Sequence, residues 1–280
     1  MIEIYLLEQL AAFAEYGTLS AASEALHITQ PSLSRSMQKL ERELGVTLFE
    51  RTKNHIALNE NGVLAAEYAE RILAMEDEMT LRVQALDRSR HMLSIGSCAP
   101  GPLIKWASQL TAMYSDMPVT TELKPEEELL KGLDTDVYQA IILNHELELP
   151  GCDCVPAGSE SLLLSLHPGH PAVVLENGVR FKDLDGDTFL MVADVGIWDA
   201  IVRNEMPRST FIIQSTLDEN VALVDNSTLP AFASDLTEEF RRPDENRIHI
   251  PFLDEEATQH FYCIFKKKNR KLLTPFLSQL

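Results

Sequence analysis

Three times within the first 45 positions, apolar residues recur at helical spacing, and the stretches between are short and polar. Leu7, Leu10, Phe13 and Ala14 share one face of a helix over residues 4–16, which Gly17 ends. A short helix, SAASEAL, follows, with Ser20 as its expected N-cap, and His27-Ile28 form the turn. Thr29 is placed to cap a third helix, Pro31 is tolerated in its first turn, and Gly45 closes it. Within that helix Leu33, Met37, Leu40 and Leu44 recur at intervals of 4, 3 and 4 and are expected to face the core. Ser34, Arg35, Gln38 and Arg42 fall on the other side. This is helix–turn–helix spacing, with the third helix as the recognition helix.

The pattern then changes to VTLFERTKNHIALNENG. Phe49 and Ile56–Leu58 read as two short strands around a polar, basic tip from Arg51 to His55. Such a hairpin beside a recognition helix is a wing, able to lay a cation along phosphates or into a minor groove. From residue 60 to 90 there is no proline, and Gly62 is the only glycine. Leu64, Tyr68, Ile72, Met75, Met79, Val83 and Leu86 recur there at intervals of 4, 4, 3, 4, 4 and 3, a heptad stripe on one long helix. So long a helix is marginal unless the stripe is covered, either by a second copy of itself or by the chain's own C-terminal domain.

From His91 strands alternate with helices. HMLSIGSC, VTTELK and DVYQAIILN form one set, and LLLSLHP, DTFLMVAD, FIIQS and TLPAFAS a second; HFYCIFKK and a helix at Arg270–Gln279 close the chain. Alternation of this kind indicates α/β units with parallel strands. Two sets imply two lobes and a cleft, where ligands sit at strand ends and helix N-termini.

Charge sharpens the division. The chain carries 24 Lys+Arg against 43 Asp+Glu, a formal net charge of −19. Residues 1–60 are net −3, residues 61–90 net −2 and residues 91–280 net −14. The last part is a poor nucleic-acid binder. In the first part the cations gather, with Arg35, Lys39, Arg42, Arg51 and Lys53 inside nineteen positions. A small module can therefore touch DNA while a large acidic body stays away from it. No run of about 18 apolar residues exists to span a membrane. The acidic N-terminus is unlike a secretory signal, and four cysteines in 280 residues make no disulfide framework. The expected compartment is the cytoplasm.

Residues 7–62 resemble the winged helix–turn–helix of LysR-type transcriptional regulators. The resemblance is carried by Leu7, Leu10, Phe13, Ala14, Glu15, Gly17, Ala21-Ala22, Leu26, Gln30-Pro31, Leu33-Ser34-Arg35, Leu40-Glu41, Leu44-Gly45, Leu48-Phe49, Arg51, Leu58 and Gly62. Thr18-Leu19, Asn59 and Asn61 depart from the family pattern, though Asn also caps a following helix. A looser match follows at His170-Pro171 and Lys182-Asp183-Leu184, and Asp225-Asn226-Ser227 stand where the family has glycines. The resemblance implies a multidomain protein: a winged helix–turn–helix domain at 1–60, a linker and dimerisation helix at 61–90, and a two-lobed, periplasmic-binding-protein-like α/β effector domain at 91–280. Its first lobe is expected at about 91–160 and 261–280 and its second at about 161–260, with crossings near Ser159–Leu162 and Thr258–Phe261.

The resemblance also implies roles. DNA contact falls to Gln30, Pro31, Ser32, Ser34, Arg35 and Gln38, with Arg51 and Lys53 on the wing, since Gln pairs with adenine, Arg with guanine, and Ser with bases or phosphate. His55 is expected to pack the wing. The seven stripe residues hold a homodimer, which family members often extend to a homotetramer. By position, the effector is lined by Ser97, Cys98, Ala99, Pro100, Asn144, Val195, Gly196, Trp198, Ser215 and Thr216. Ser97 and Thr216 would donate hydroxyls, or would simply cap helices. Helix N-termini after Ser97 and Ser215, like the family's habits, point to a small organic acid or an amino acid. RNA polymerase is a further candidate partner. Neither cofactor nor metal is expected. Cys152-Asp153-Cys154 lacks structural zinc spacing and reads as part of a strand, with a redox switch as the alternative. The run Lys266–Arg270 reads as a solvated loop. No G-x-S-x-G, P-loop, H-E-x-x-H or glycine-rich dinucleotide turn occurs, so no enzyme is indicated. The alternatives are a DNA-binding regulator with a ligand-free C-terminal domain, or a solute-binding or enzymatic α/β protein.

Overall fold

Three helices open the chain: α1 (Ile4–Tyr16), α2 (Leu19–Ala25) and α3 (Gln30–Leu44). They belong to the first of two compact units, residues 1–84 and 85–280, in a computed structural model that describes residues 1–51, 56–89, 91–174, 177–238 and 246–280. Gly17, at φ 72°, ends α1 and donates its N–H to the Phe13 carbonyl. Thr18 is thereby left extended, and it caps α2 by accepting the Ala21 N–H at 3.2 Å. Ser20, the expected cap, lies inside the helix, because α2 starts immediately after the glycine turn. Thr29 caps α3, and Gly45 ends it at φ 72°. Leu33, Met37 and Leu40 are fully buried, but Leu44 is 38% exposed, one turn beyond the last core position.

The hairpin pairs β1 (Phe49–Arg51) with β2 (Ile56–Leu58), Phe49 opposite Leu58. Its tip, with Lys53 and His55, lies outside the described residues. Phe49 meets Phe13 edge-to-face at 5.1 Å, and a Glu41 carboxylate oxygen accepts the N–H groups of Leu48 and Phe49 at 2.8 and 3.3 Å. The hairpin root is thus fastened to both α1 and α3. The long helix α4 (Glu60–Ser89) is capped by Asn59, which accepts the Gly62 N–H at 2.9 Å. A Cβ at Gly62 would come within 2.1 Å of the Leu48 carbonyl oxygen, so the position admits only glycine without a shift of backbone.

The second unit contains β3 (Leu93–Ser97), α5 (Pro100–Met113), β4 (Val119–Leu123), α6 (Glu126–Asp134) and β5 (Ala140–Leu143). The strand β6 (Cys152–Leu166) follows, then α7 (Phe181–Leu184), β7 (Thr188–Val192), α8 (Ile197–Glu205), β8 (Thr210–Gln214) and α9 (Leu217–Asp225). Next come β9 (Ala231–Ser234), α10 (Asp235–Glu238), β10 (Ile248–Pro251), β11 (Thr258–Lys266) and α11 (Arg270–Leu277). The strand order is β4-β3-β5-β11-β6-β9-β7-β8, with β10 beside β6. Parallel sets β4-β3-β5 and β9-β7-β8 flank the antiparallel β6–β11 pair.

Two hydrophobic clusters make two lobes, one centred on Trp106, Ile141 and Phe265, the other on Leu164, Phe189 and Trp198. β6 is common to both. It pairs with β11 as far as Ser161 opposite Thr258, then with β9 from Leu162 opposite Ser234. The sequence pattern shows the two ends of this strand, at Cys152–Cys154 and from Leu162, as separate pieces, because Pro156 and Gly158 interrupt it. Pro156 is accommodated where the ladder shifts register between His260 and Tyr262. The stretch from Asp225 to Ser227, where the family has glycines, is held differently: the buried Arg247 guanidinium donates to the carbonyls of Val224, Ser227 and Leu229 at 3.4, 3.1 and 2.8 Å.

At the point where β6 changes partners, Glu160 is 2% exposed. The Trp198 indole N–H of the second lobe donates to its carboxylate at 3.0 Å. On its other side the carboxylate lies 2.3 Å from where a Cβ on Gly101, at the start of α5, would sit. Burial pushes the Glu160 carboxyl up, against the pull of the Ser234 and Trp198 hydrogen bonds. A carboxyl raised in the folded state contributes stability that is fully present below its unfolded pKa and is lost as pH climbs through its folded one. Glu160→Gln keeps the acceptor for Trp198 and removes that loss. Its thermal midpoint should match the parent near about pH 4 and exceed it by roughly 2–4 °C near neutrality. Melting curves that stay parallel across that range would contradict the assignment.

Candidate functional site

On α3 the apolar stripe faces inward, so the opposite face is left to polar residues. Gln30, Pro31, Ser32, Arg35, Gln38 and Arg42 are exposed, and Ser34 is half-buried. The Arg35 Nε donates to the Pro31 carbonyl at 3.2 Å, which directs the side chain along the helix toward its N-terminus. Lys39 behaves differently from the other cations of the cluster. Its ammonium binds the Glu3 carboxylate and the Tyr5 hydroxyl, so it folds back on the start of the chain. Arg51 belongs to β1, and Lys53 lies outside the described residues. Sequence reasoning gave no role to Glu41, whose double bond to the hairpin root sets the wing against α3. Glu41 stands in the largely charged run from Lys39 to Glu43, so nothing local marked it out.

Along α4 all seven stripe residues, Leu64, Tyr68, Ile72, Met75, Met79, Val83 and Leu86, are between 41% and 69% exposed. Together they leave an exposed apolar stripe along one face of the helix.

A cavity of about 580 Å³ opens between the two lobes of the second unit, within the range that holds small ligands. Cys98, Leu123, Lys124, Pro125, Glu126 and Asn144 line it from the first lobe. Residues Met191 to Ile197, with Asp199, Arg203 and Ile213, line it from the second. Four expected lining residues are brought together there: Cys98, Asn144, Val195 and Gly196. The lobes also touch through the backbone, where the Ile197 N–H donates to the Cys98 carbonyl at 2.9 Å. Gly196 makes this possible, since a Cβ on it would lie 2.1 Å from that same oxygen.

The other expected lining residues are elsewhere, each for a local reason. Ser97 is fully buried, its hydroxyl donating to the Ala99 carbonyl at 2.7 Å and accepting the Ala99 N–H at 3.2 Å. Ala99 and Pro100 follow it into the lobe and the start of α5. Trp198 points into the second core toward Glu160. Thr216 is engaged in a capping box with Glu219 at the head of α9, and neither it nor Ser215 lines the cavity. The expected anion seats are therefore spent. α5 begins Pro100-Gly101-Pro102, where two of three positions lack an N–H, and α9 already carries Asp218 and Glu219 in its first turn.

The cysteines are free. Burial pushes the Cys98 thiol up to about 12, and burial also raises Cys152 and Cys263. Among the described residues no group of three His, Cys, Asp or Glu could hold a metal ion. The basic run after β11 is locally paired, Lys266 and Lys268 with Asp136 at 3.0 and 2.8 Å and Arg270 with Asp153 at 3.0 Å. No described helix is long and apolar enough to cross a membrane.

Comparison with known proteins places these features. Residues 4–63 match the family described as bacterial regulatory helix-turn-helix protein, lysR family, and residues 87–276 match the LysR substrate binding domain. The hydrogen peroxide-inducible genes activator of Dickeya chrysanthemi is 29% identical over 192 residues, which cover 67% of this chain and 63% of that protein. The match thus spans less than two thirds of that relative's length. The regulatory protein NocR of Agrobacterium fabrum is 27% identical over 203 residues, covering 70% of this chain and 67% of NocR. A full-length OxyR variant of Pseudomonas aeruginosa shares the fold, with a TM-score of 0.55 at 19% identity over 99% of this chain and 94% of that one. With one domain matched around α3 and the other around the two-lobed cavity, the chain belongs to the LysR family of bacterial regulatory helix–turn–helix proteins.

Proposed function

We propose that this chain is a cytoplasmic, sequence-specific DNA-binding transcriptional regulator, acting as a homodimer or a dimer of dimers and controlled by a small molecule held between the lobes of its C-terminal domain. The observation that carries the reading is the exposed Gln30–Gln38 face of α3, set against a buried stripe inside a domain of the regulatory family. Arg35 and Gln38 are the groups suited to base edges, Ser32 and Ser34 to bases or phosphate, and Arg51 with Lys53 to the neighbouring backbone. The stripe on α4 is assigned to a second copy of the same helix. RNA polymerase is the protein partner that such an activity calls for.

Some relatives are named as hydrogen peroxide-inducible activators. Of the four free cysteines here, Cys98 and Cys263 are buried and Cys152 and Cys154 half-buried, so none stands exposed to solvent as a peroxide-reactive thiol would. The cavity, lined by side chains of both lobes, favours a ligand trigger instead.

Two experiments test the reading. Binding to a promoter fragment should fall steeply with salt, and Arg35→Ala should weaken specific binding by about 1–3 kcal/mol. An operator titration in which Arg35→Ala binds as the parent does would remove α3 from the interface. Glu at both Ile72 and Met75 should dissociate the dimer, since two unpaired charges per helix would enter an apolar seam. Sedimentation showing an intact dimer at low concentration would reassign the stripe.

A further inference from the structure

The cavity lies within the stretch that matches the LysR substrate binding domain, and its charged groups limit what it can hold. Two cations line it, and both are already engaged. The Lys124 ammonium lies 3.2 Å from the Glu128 carboxylate, and Arg203 Nε donates to Asp199 at 2.8 Å. The Arg203 guanidinium is held a second time over the Phe211 ring, 5.0 Å from its centroid. The acids are engaged less fully. Glu126 has His145 at 3.4 Å, and Asp194 has no ion pair or hydrogen bond among the described residues.

Backbone dipoles supply no counterweight. The N-terminus of α6 borders the cavity through Pro125 and Glu126, and its first turn carries Glu126, Glu127 and Glu128. The first N–H of α8, from Ile197, is spent on the Cys98 carbonyl. An anion entering here would have to draw Lys124 or Arg203 away from the carboxylate that each already faces. A cation would find Asp194 and Glu126 waiting, in a domain whose formal charge of −14 over residues 91–280 draws positive ligands toward it. The remaining walls, from Leu123, Met191, Val192, Val195 and Ile213, are apolar.

Resting on the reading of this cavity as the effector site, we infer that the effector is a small organic cation. It carries a primary ammonium or guanidinium that pairs with Asp194 and Glu126, on a short apolar body that lies against Met191, Val192 and Ile213. This replaces the carboxylate expected from helix N-termini. An amino acid would qualify only if its side chain brought a second positive charge.

Asp194 offers a clean test. Its backbone sits at φ 55°, a left-handed conformation that Asn tolerates as well as Asp, so Asp194→Asn removes the charge without adding strain. Full-length parent and variant would be titrated calorimetrically with agmatine, 1,5-diaminopentane and glutarate at physiological ionic strength, alongside promoter binding without added ligand. The expected result is that agmatine or 1,5-diaminopentane binds the parent, glutarate does not, and Asp194→Asn weakens the cation by about tenfold. Unchanged thermal midpoint and promoter affinity would show the variant to be folded. Cation binding of equal strength in both proteins would reveal mere attraction to an acidic surface and overturn the inference. Glutarate binding in place of the cations would overturn it too, while leaving the cavity as an effector site. Binding of none of the three would likewise overturn the assigned ligand class. Loss of promoter binding by the parent itself would instead defeat the regulator reading and leave the ligand result standing.

Discussion

The antiparallel ladder between β6 and β11 is the constraint on which the C-terminal domain depends. β6 runs for fifteen residues, from Cys152 to Leu166, and lends its first part to one lobe and its second part to the other. Each lobe closes its own core around that shared strand. The cavity follows, because the parallel strands of both lobes end beside the same ladder and their following loops face one another. Among the further contacts that join the lobes are two hydrogen bonds, from the Ile197 N–H to the Cys98 carbonyl and from the Trp198 indole to Glu160. Both are hydrogen bonds of single groups, weak beside the continuous ladder.

The same economy separates the two charge populations. An acidic protein meets a polyanion only if its cations are placed and its acids kept away, and α3 shows how. The stripe of Leu33, Met37 and Leu40 fixes the helix's roll, and with it the outward aim of Arg35, Gln38 and Arg42. Lys39, one position off that face, is neutralised by Glu3 and withdrawn from the cationic surface. The basic run after β11 is handled likewise. Asp136 and Asp153 pair with its lysines and arginine, which turns an apparent second patch into part of the lobe's own surface.

Periodicity and punctuation were readable because they are local. The bounds of α1 and α3, the Thr29 cap, the Gly17 and Gly45 turns and the α/β alternation all follow from neighbours in sequence. What escaped depended on distant residues. Ser20 and Thr18 are both good caps, and only the exit angle from Gly17 chooses between them. Leu44 keeps the helical period but overruns the core. Pro156 and Gly158 broke the pattern between the two readable ends of β6, since the bulge that admits them, two β6 residues opposite one of β11, depends on the partner strand. In the cavity, position relative to the strands found Cys98, Asn144, Val195 and Gly196, but not whether a hydroxyl was already satisfied. Ser97 is consumed by Ala99, and Thr216 by Glu219. The charged lining from Lys124 to Arg203 carries no motif at all, because its members meet only when the lobes fold.

One carbonyl oxygen, on Leu48, has a wider consequence. It accepts the Asn59 N–H at 2.9 Å and leaves no room for a side chain at Gly62. The base of the wing and the first turn of α4 are in this way geared to one another without a flexible joint. Whatever sets the roll of α4 at its start also sets the bearing of the hairpin root and of α3. Under the proposed pairing of α4 with a second copy, the spacing between two operator half-sites would follow from that pairing, so exchanges among Leu64, Tyr68 and Ile72 would retune which operators fit, and not merely how tightly two chains adhere.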